Sequence, residues 1–196
     1  MIPALILIFV AVVYRIATGI LVQSGSATWL SNFAPLAAIA LCGAAFFPAK
    51  YKFWVPLLAL LVSDVVLNTY YGASLFHPLI AGRYFALVAV GCLGLLLHNR
   101  ASLKTLLPAT LAGSVIFYLV SNAFSWLSDP GYVKNLAGFI QAITVGLPAY
   151  SATPSWMFFR NSLVSDLVFT GLFILAVNFG RSPERSRAPE AQPRAA

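Results

Sequence analysis

Asn32-Phe33-Ala34-Pro35-Leu36-Ala37-Ala38-Ile39-Ala40-Leu41-Cys42-Gly43-Ala44-Ala45-Phe46-Phe47-Pro48 decides how this chain is read. It leads through Lys50 and Lys52 into a second apolar climb from Phe53 to Ser63-Asp64. This is the pattern of a helical hairpin in lipid. The first arm is made of small residues that another helix can approach closely. The second carries a carboxylate deep in an apolar run, where an isolated charge costs roughly 2.5–3.5 kcal/mol or more and so faces a protein partner or a polar cavity.

Composition agrees. The chain has 196 residues, 60% hydrophobic and 9% charged, with a mean hydropathy of +0.87. A soluble domain carries roughly 25% charged residues, so hydrocarbon is the expected solvent for most of this surface. The net charge of +7 does not point to nucleic acid, because the basic residues are scattered between apolar runs and form no stripe. Cys42 and Cys92 lie in apolar helices without a CxxC spacing and read as small packing residues.

A spanning helix needs about 20 mostly apolar residues. Spans are expected at Ile2–Leu21, Phe33–Phe47 (short for a full crossing, so expected to be sunk or capped by neighbours), Phe53–Asn68, Tyr84–Leu97, Leu106–Trp126 and Leu163–Phe179. The first lacks a basic leader and a cleavage site, so it reads as a retained helix. Thr69–Gly82 reads as a structured loop. Val133–Leu147 is too short and polar for a span and is expected to be interfacial or re-entrant. The fold class is therefore an all-α integral membrane protein with six transmembrane helices in one domain over 1–180. A basic tail without hydrophobic periodicity, expected to be disordered, follows over 181–196.

With both termini inside, the cytoplasmic segments hold Lys50, Lys52, Arg100, Lys104, Arg181, Arg185, Arg187 and Arg194, against Arg83, Lys134 and Arg160 outside. That is the positive-inside bias. Trp29, Trp126 and Trp156 fall at outer boundaries and Trp54 at an inner one, as interfacial aromatics do.

The ionisable groups within spans are the costly ones. Arg15, Asp64 and Asp166 all fall at comparable depth on the outer side. In one reading Asp64 and Asp166 contact a substrate in an outward cavity. In the other, Arg15 neutralises one carboxylate while the second caps a helix. Which aspartate Arg15 pairs with is open. Asn68, His77, Asn122, Trp126 and Asn161 are further substrate-contacting candidates at the outer ends, since pockets combine aromatic walls with a few polar groups. His77, alone there, is weak evidence for a metal. Ala34, Ala38 and Cys42 form one small-residue ridge, and Ala40 with Ala44 a second. Such ridges serve either tight packing within the chain or docking of another membrane subunit.

The sequence holds no Walker loop and no HExxH, and no Ser/His dyad is placed on one side. An enzyme is the least favoured class, and no cofactor is called for.

The order of features resembles the DUF6580 family, read as bacterial transport proteins. The likeness is carried by Asn32-Phe33-Ala34-Pro35, Gly43, Phe46-Phe47, Pro56 and Ser63-Asp64. It continues in Ser121-Asn122 with Trp126, Gly138, Gly146-Leu147-Pro148, Phe159, Asn161 and Asp166. It covers about Asn32 to Phe179, while Tyr150–Met157 looks like added loop. That family is in turn similar to the substrate-binding S components of energy-coupling-factor vitamin transporters. These are six-helix proteins with an Ala-xxx-Ala surface for a coupling subunit. The resemblance implies uptake of a small, vitamin-like molecule through the bacterial inner membrane, energised by a partner. A cobalamin carrier of that kind meets cobalt with an outer cysteine, whereas the outer loop here offers His77. The alternative is a non-transporting assembly subunit or a small-molecule sensor. The expected partners are a small molecule, the lipid bilayer and an energising membrane subunit, with no nucleic acid.

Overall fold

The computed structural model describes residues 2–185. They form seven α-helices and one short 3-10 turn, and no strand occurs among the described residues. The helices are α1 (Ile2–Gln23), α2 (Leu36–Phe46), α3 (Trp54–Tyr71), α4 (Pro78–Leu96), α5 (Leu103–Ser128), α6 (Leu136–Ile143) and α7 (Ser155–Arg185), with the 3-10 turn at Thr28–Leu30. Five of them, α1, α3, α4, α5 and α7, are long and apolar enough to cross a membrane. Phe9, Trp54, Leu96 and Phe179 are among the many large apolar side chains left on the outside, where lipid and not water is the matching solvent.

α2 is the exception, and the bundle is built round it. Its 11 residues reach about 16 Å at 1.5 Å per residue, well short of a ~30 Å hydrocarbon core. Every residue from Ala37 to Ala45 is buried. α4, α5 and α7 pack against it extensively and α3 more lightly. The helix-docking expectation for Ala38, Ala40 and Ala44 is thereby corrected. They are 1%, 4% and 0% exposed, so the ridges bring this chain's own helices together and present nothing to a second subunit. Ala34 precedes the helix and lines a cavity instead.

Helical spacing explains what faces α2. On α7, Asp166, Thr170 and Phe173 recur at steps of four and three and are all buried. They meet α2 in order: Asp166 at Ala38, Thr170 at Cys42, and Phe173 at Phe46 and Phe47. Both ends of α2 are capped from elsewhere in the chain, the first by α7 and the second by the turn after α4. Asp166 accepts from the Ala38 N–H at 2.9 Å. At the far end His98 Nδ1 lies 2.7 Å from the Ala45 carbonyl, and since a carbonyl only accepts, that nitrogen carries the proton. An acid at the start and a donor at the end complement the helix dipole and satisfy otherwise orphaned groups. Pro35 itself supplies no side-chain cap.

The remaining boundaries follow local chemistry. α3 stops at Gly72, whose φ of 64° lies in the left-handed region that a residue without Cβ adopts most easily. Gly72 N–H donates to the Thr69 carbonyl and Ala73 N–H to that of Asn68, closing the end. α4 begins at Pro78 with His77 as its cap, Nδ1 accepting from Leu79 N–H. It thus starts six residues before the expected Tyr84 and takes Arg83 out of the expected loop. α6 has eight residues, about 12 Å of helix, so Val133–Leu147 holds no spanning helix. α7 starts at Ser155, absorbing Arg160 and Asn161, and runs on to Arg185. The rest of the expected tail, 186–196, lies outside the described residues.

Candidate functional site

α2 fills only part of the bundle axis. Its first residue, Leu36, lies on the wall of a cavity at the end where α1, α3 and α5 finish and α4 and α7 begin. The space has two adjoining lobes of about 260 and 450 Å³. Arg15, Asn32, Ala34, Arg83 and Phe158 border both.

Each wall continues a buried helix stripe. On α1, Ala4, Ile8, Ala11, Arg15 and Thr18 recur at steps of four and three, so Arg15 points inward with the core residues. On α5 the buried stripe Leu106, Thr110, Gly113 and Ser114 runs on into Phe117, Tyr118, Ser121 and Asn122, which line the smaller lobe. α7 adds Phe158, Phe159 and Ser162. Asn32, at φ 57°, turns the chain into α2 at the border of both lobes; asparagine tolerates that conformation better than most residues.

Asp64 joins three helices. Arg15 donates to its Oδ1 at 2.6 Å and Arg83 donates to the same oxygen at 2.8 Å. The Arg15 side chain is 11% exposed, that of Arg83 31% and that of Asp64 1%. Arg15 also donates to the Ser63 hydroxyl. Ser63 in turn donates to the Ala59 and Leu60 carbonyls, leaving its lone pairs for the guanidinium. Asp64 Oδ2 and the Tyr84 hydroxyl are both buried without a formed hydrogen bond.

Asp166 does something different. It is fully buried, with Oδ1 on Ala38 N–H and Oδ2 accepting from the Ser114 hydroxyl at 2.8 Å. It lies beneath the cavity and not on its wall. Asp166→Asn keeps the shape but must turn an NH₂ toward one of the two donors that Asp166 accepts from. A loss of about 1–3 kcal/mol is expected, read as earlier unfolding in a detergent titration followed by tryptophan fluorescence. A change under 0.5 kcal/mol, on the scale of an ordinary surface substitution, would refute the capping role.

Of the other candidates, Asp64 and Asn68 line the larger lobe and Asn122 the smaller. Asn68 and Asn122 each donate their amide N–H to the carbonyl four residues back, at 2.8 Å, which leaves the side-chain oxygens for a ligand donor. His77, Trp126 and Asn161 are not on the cavity wall. His77 caps α4. Trp126 donates to the Val133 carbonyl and packs edge-on against Phe139 of α6. Asn161 donates to the Trp29 and Ser31 carbonyls and fixes the loop before α2. For these three and Asp166, substrate contact is replaced by roles in holding the structure together. Arg83, expected only as one of the outer-loop residues, also belongs to the site. Its signal was the helix start at His77-Pro78, which puts Arg83 one turn before the buried Ala86-Leu87.

The helices and cavity define a multi-pass, all-α membrane protein with a polar, aromatic-walled space at one end of the bundle. No curated protein and no solved structure matches the chain. A family model, a family of unknown function designated DUF6580, matches residues 1–188, and the chain belongs to that family. The match also takes in α1, which the quoted motifs had left out.

Proposed function

We propose that the protein binds a small molecule in this cavity and serves its uptake across a bacterial inner membrane. The observation that carries the reading is the short α2. Ending inside the bundle, it leaves room where a full-length helix would fill the axis. Ligand cavities combine apolar and aromatic walls with a few placed polar groups, and these walls supply both. Counted with the half-length α2, six helices alternate in direction, which brings both ends of the bundle domain to the side opposite the cavity. The short loops on that side carry Lys50, Lys52 and Arg100, with Lys104 at the start of α5. By the positive-inside rule that side is cytoplasmic and the cavity faces out. This geometry is compatible with the S-component likeness. Release inside requires helix movement, and energy comes from a partner.

Native mass spectrometry of protein purified in mild detergent tests the reading. A retained metabolite at one per chain is expected, and Ser121→Trp, which fills the smaller lobe, should abolish it while leaving the amount of folded protein unchanged. If both proteins are empty, or if the variant keeps the molecule, the cavity is not the binding site and the non-transporting alternative gains.

A further inference from the structure

The charges at the cavity do not balance. Two guanidinium groups converge on one oxygen of one carboxylate. The other two aspartates do not offset the excess at the wall. Asp166 is fully buried with both oxygens engaged, and Asp129 sits in an exposed loop where it accepts from Gly131 N–H. An unmatched cation in a low-dielectric site is costly and calls for a counter-anion. The two arginines are also unequal. Arg15 is held at both terminal nitrogens, by Ser63 and Asp64. Arg83 gives one nitrogen to Asp64 and is a third exposed, on the wall of both lobes. Its remaining donors form the planar fork that matches a carboxylate. Phe117, Phe158 and Phe159 face the same space.

We infer that the cavity takes a small organic anion, an acid with one carboxylate-type group and an apolar or aromatic body, held through Arg83 against the fixed charge of Arg15. This rests on the cavity being a ligand site, and it names the class of ligand. Asp64 then orients the arginines in the empty protein, and the ligand supplies the second negative charge. Ser121 and the Asn122 side-chain oxygen are placed to serve polar groups on the body of the ligand.

The test uses the full-length protein in nanodiscs. Phenylacetate, 3-phenylpropionate and indole-3-acetate are each titrated beside their own carboxamide by calorimetry, and the freshly purified protein is examined by native mass spectrometry. At least one acid is expected to bind about tenfold or more tightly than its amide, the scale of one charge-assisted hydrogen bond. Arg83→Gln should bring that ratio close to one. Arg83→Lys, which keeps the charge without the fork, should retain part of the preference at lower affinity, and it serves if the glutamine variant does not fold. An amide bound as tightly as its acid, an acid preference unchanged in both Arg83 variants, or a retained molecule that is neutral or cationic overturns the anion assignment and leaves the cavity reading standing. No small molecule bound in either experiment overturns both.

Discussion

Asp64→Ala is expected to be the most damaging single change in the cavity, lowering stability by about 3–5 kcal/mol. The carboxylate is 1% exposed and holds Arg15 and Arg83 on one oxygen. Its removal leaves two guanidinium groups facing each other at the end of an apolar bundle, and Arg15, 11% exposed, cannot turn into water without α1 leaving its packed stripe. The cost is therefore dominated by stranded cations and only secondarily by lost hydrogen bonds. That has a consequence for the double variant. Arg15→Met combined with Asp64→Leu removes the more deeply buried pair as a unit and leaves only Arg83, a third exposed, to the water of the cavity. It should recover most of the loss, since replacing a buried ion pair by apolar groups is often neutral. Unfolding in a denaturing-detergent titration of wild type, the single variant and the double variant measures both. A single variant within 1 kcal/mol of wild type, or a double variant worse than the single, would show that the cluster does not hold the helices together.

Gly94→Val is the second large effect, and it acts through shape alone. A Cβ at Gly94 would lie 2.3 Å from the Leu41 carbonyl oxygen and 2.9 Å from the Ala44 Cβ. The first obstacle is backbone in the interior of α2, which cannot swing aside as a long side chain can. α4 must move away from α2, opening the contact that small residues exist to make. A loss of up to about 3 kcal/mol is expected, at the upper end for overpacking. Gly171→Val is the control, since a Cβ there meets nothing within 4 Å. It should stay within about 0.5 kcal/mol of wild type. Similar behaviour of the two variants in the same titration would mean that α2 and α4 are not in close contact.

Much of the architecture was legible because lipid makes a strict demand. A segment in hydrocarbon must close its own backbone hydrogen bonds, so long apolar runs read directly as helices, and the five long ones were found. Errors concentrate where polar residues extend a helix beyond its apolar run. Arg83 and Arg160-Asn161 looked like loop because they are charged or amidic. In the structure they prolong α4 and α7 past the apolar stretch and deliver polar groups to the same end of the bundle. Pro78 was a sufficient sign for the first of these. The second had a weaker one, in Ser155 and the aromatic run that follows it. The sequence also showed that a carboxylate at position 64 needed a partner.

Sequence alone therefore determined the class of solvent, the location of the five long apolar runs and the presence of costly charges in them. These depend on local composition and on a period of 3.6 residues. Only the tertiary structure decided that Arg15 and Arg83 both serve Asp64, that Asp166 caps α2 from 128 residues away, and that the alanine ridges face inward. Each of these is a contact between segments whose spacing along the chain is arbitrary, so no local pattern encodes it. The cavity belongs with them: α2 could be read as short from its own residues, but that it stands at the centre of the bundle, and so leaves a space beyond its first turn, is a property of the packing.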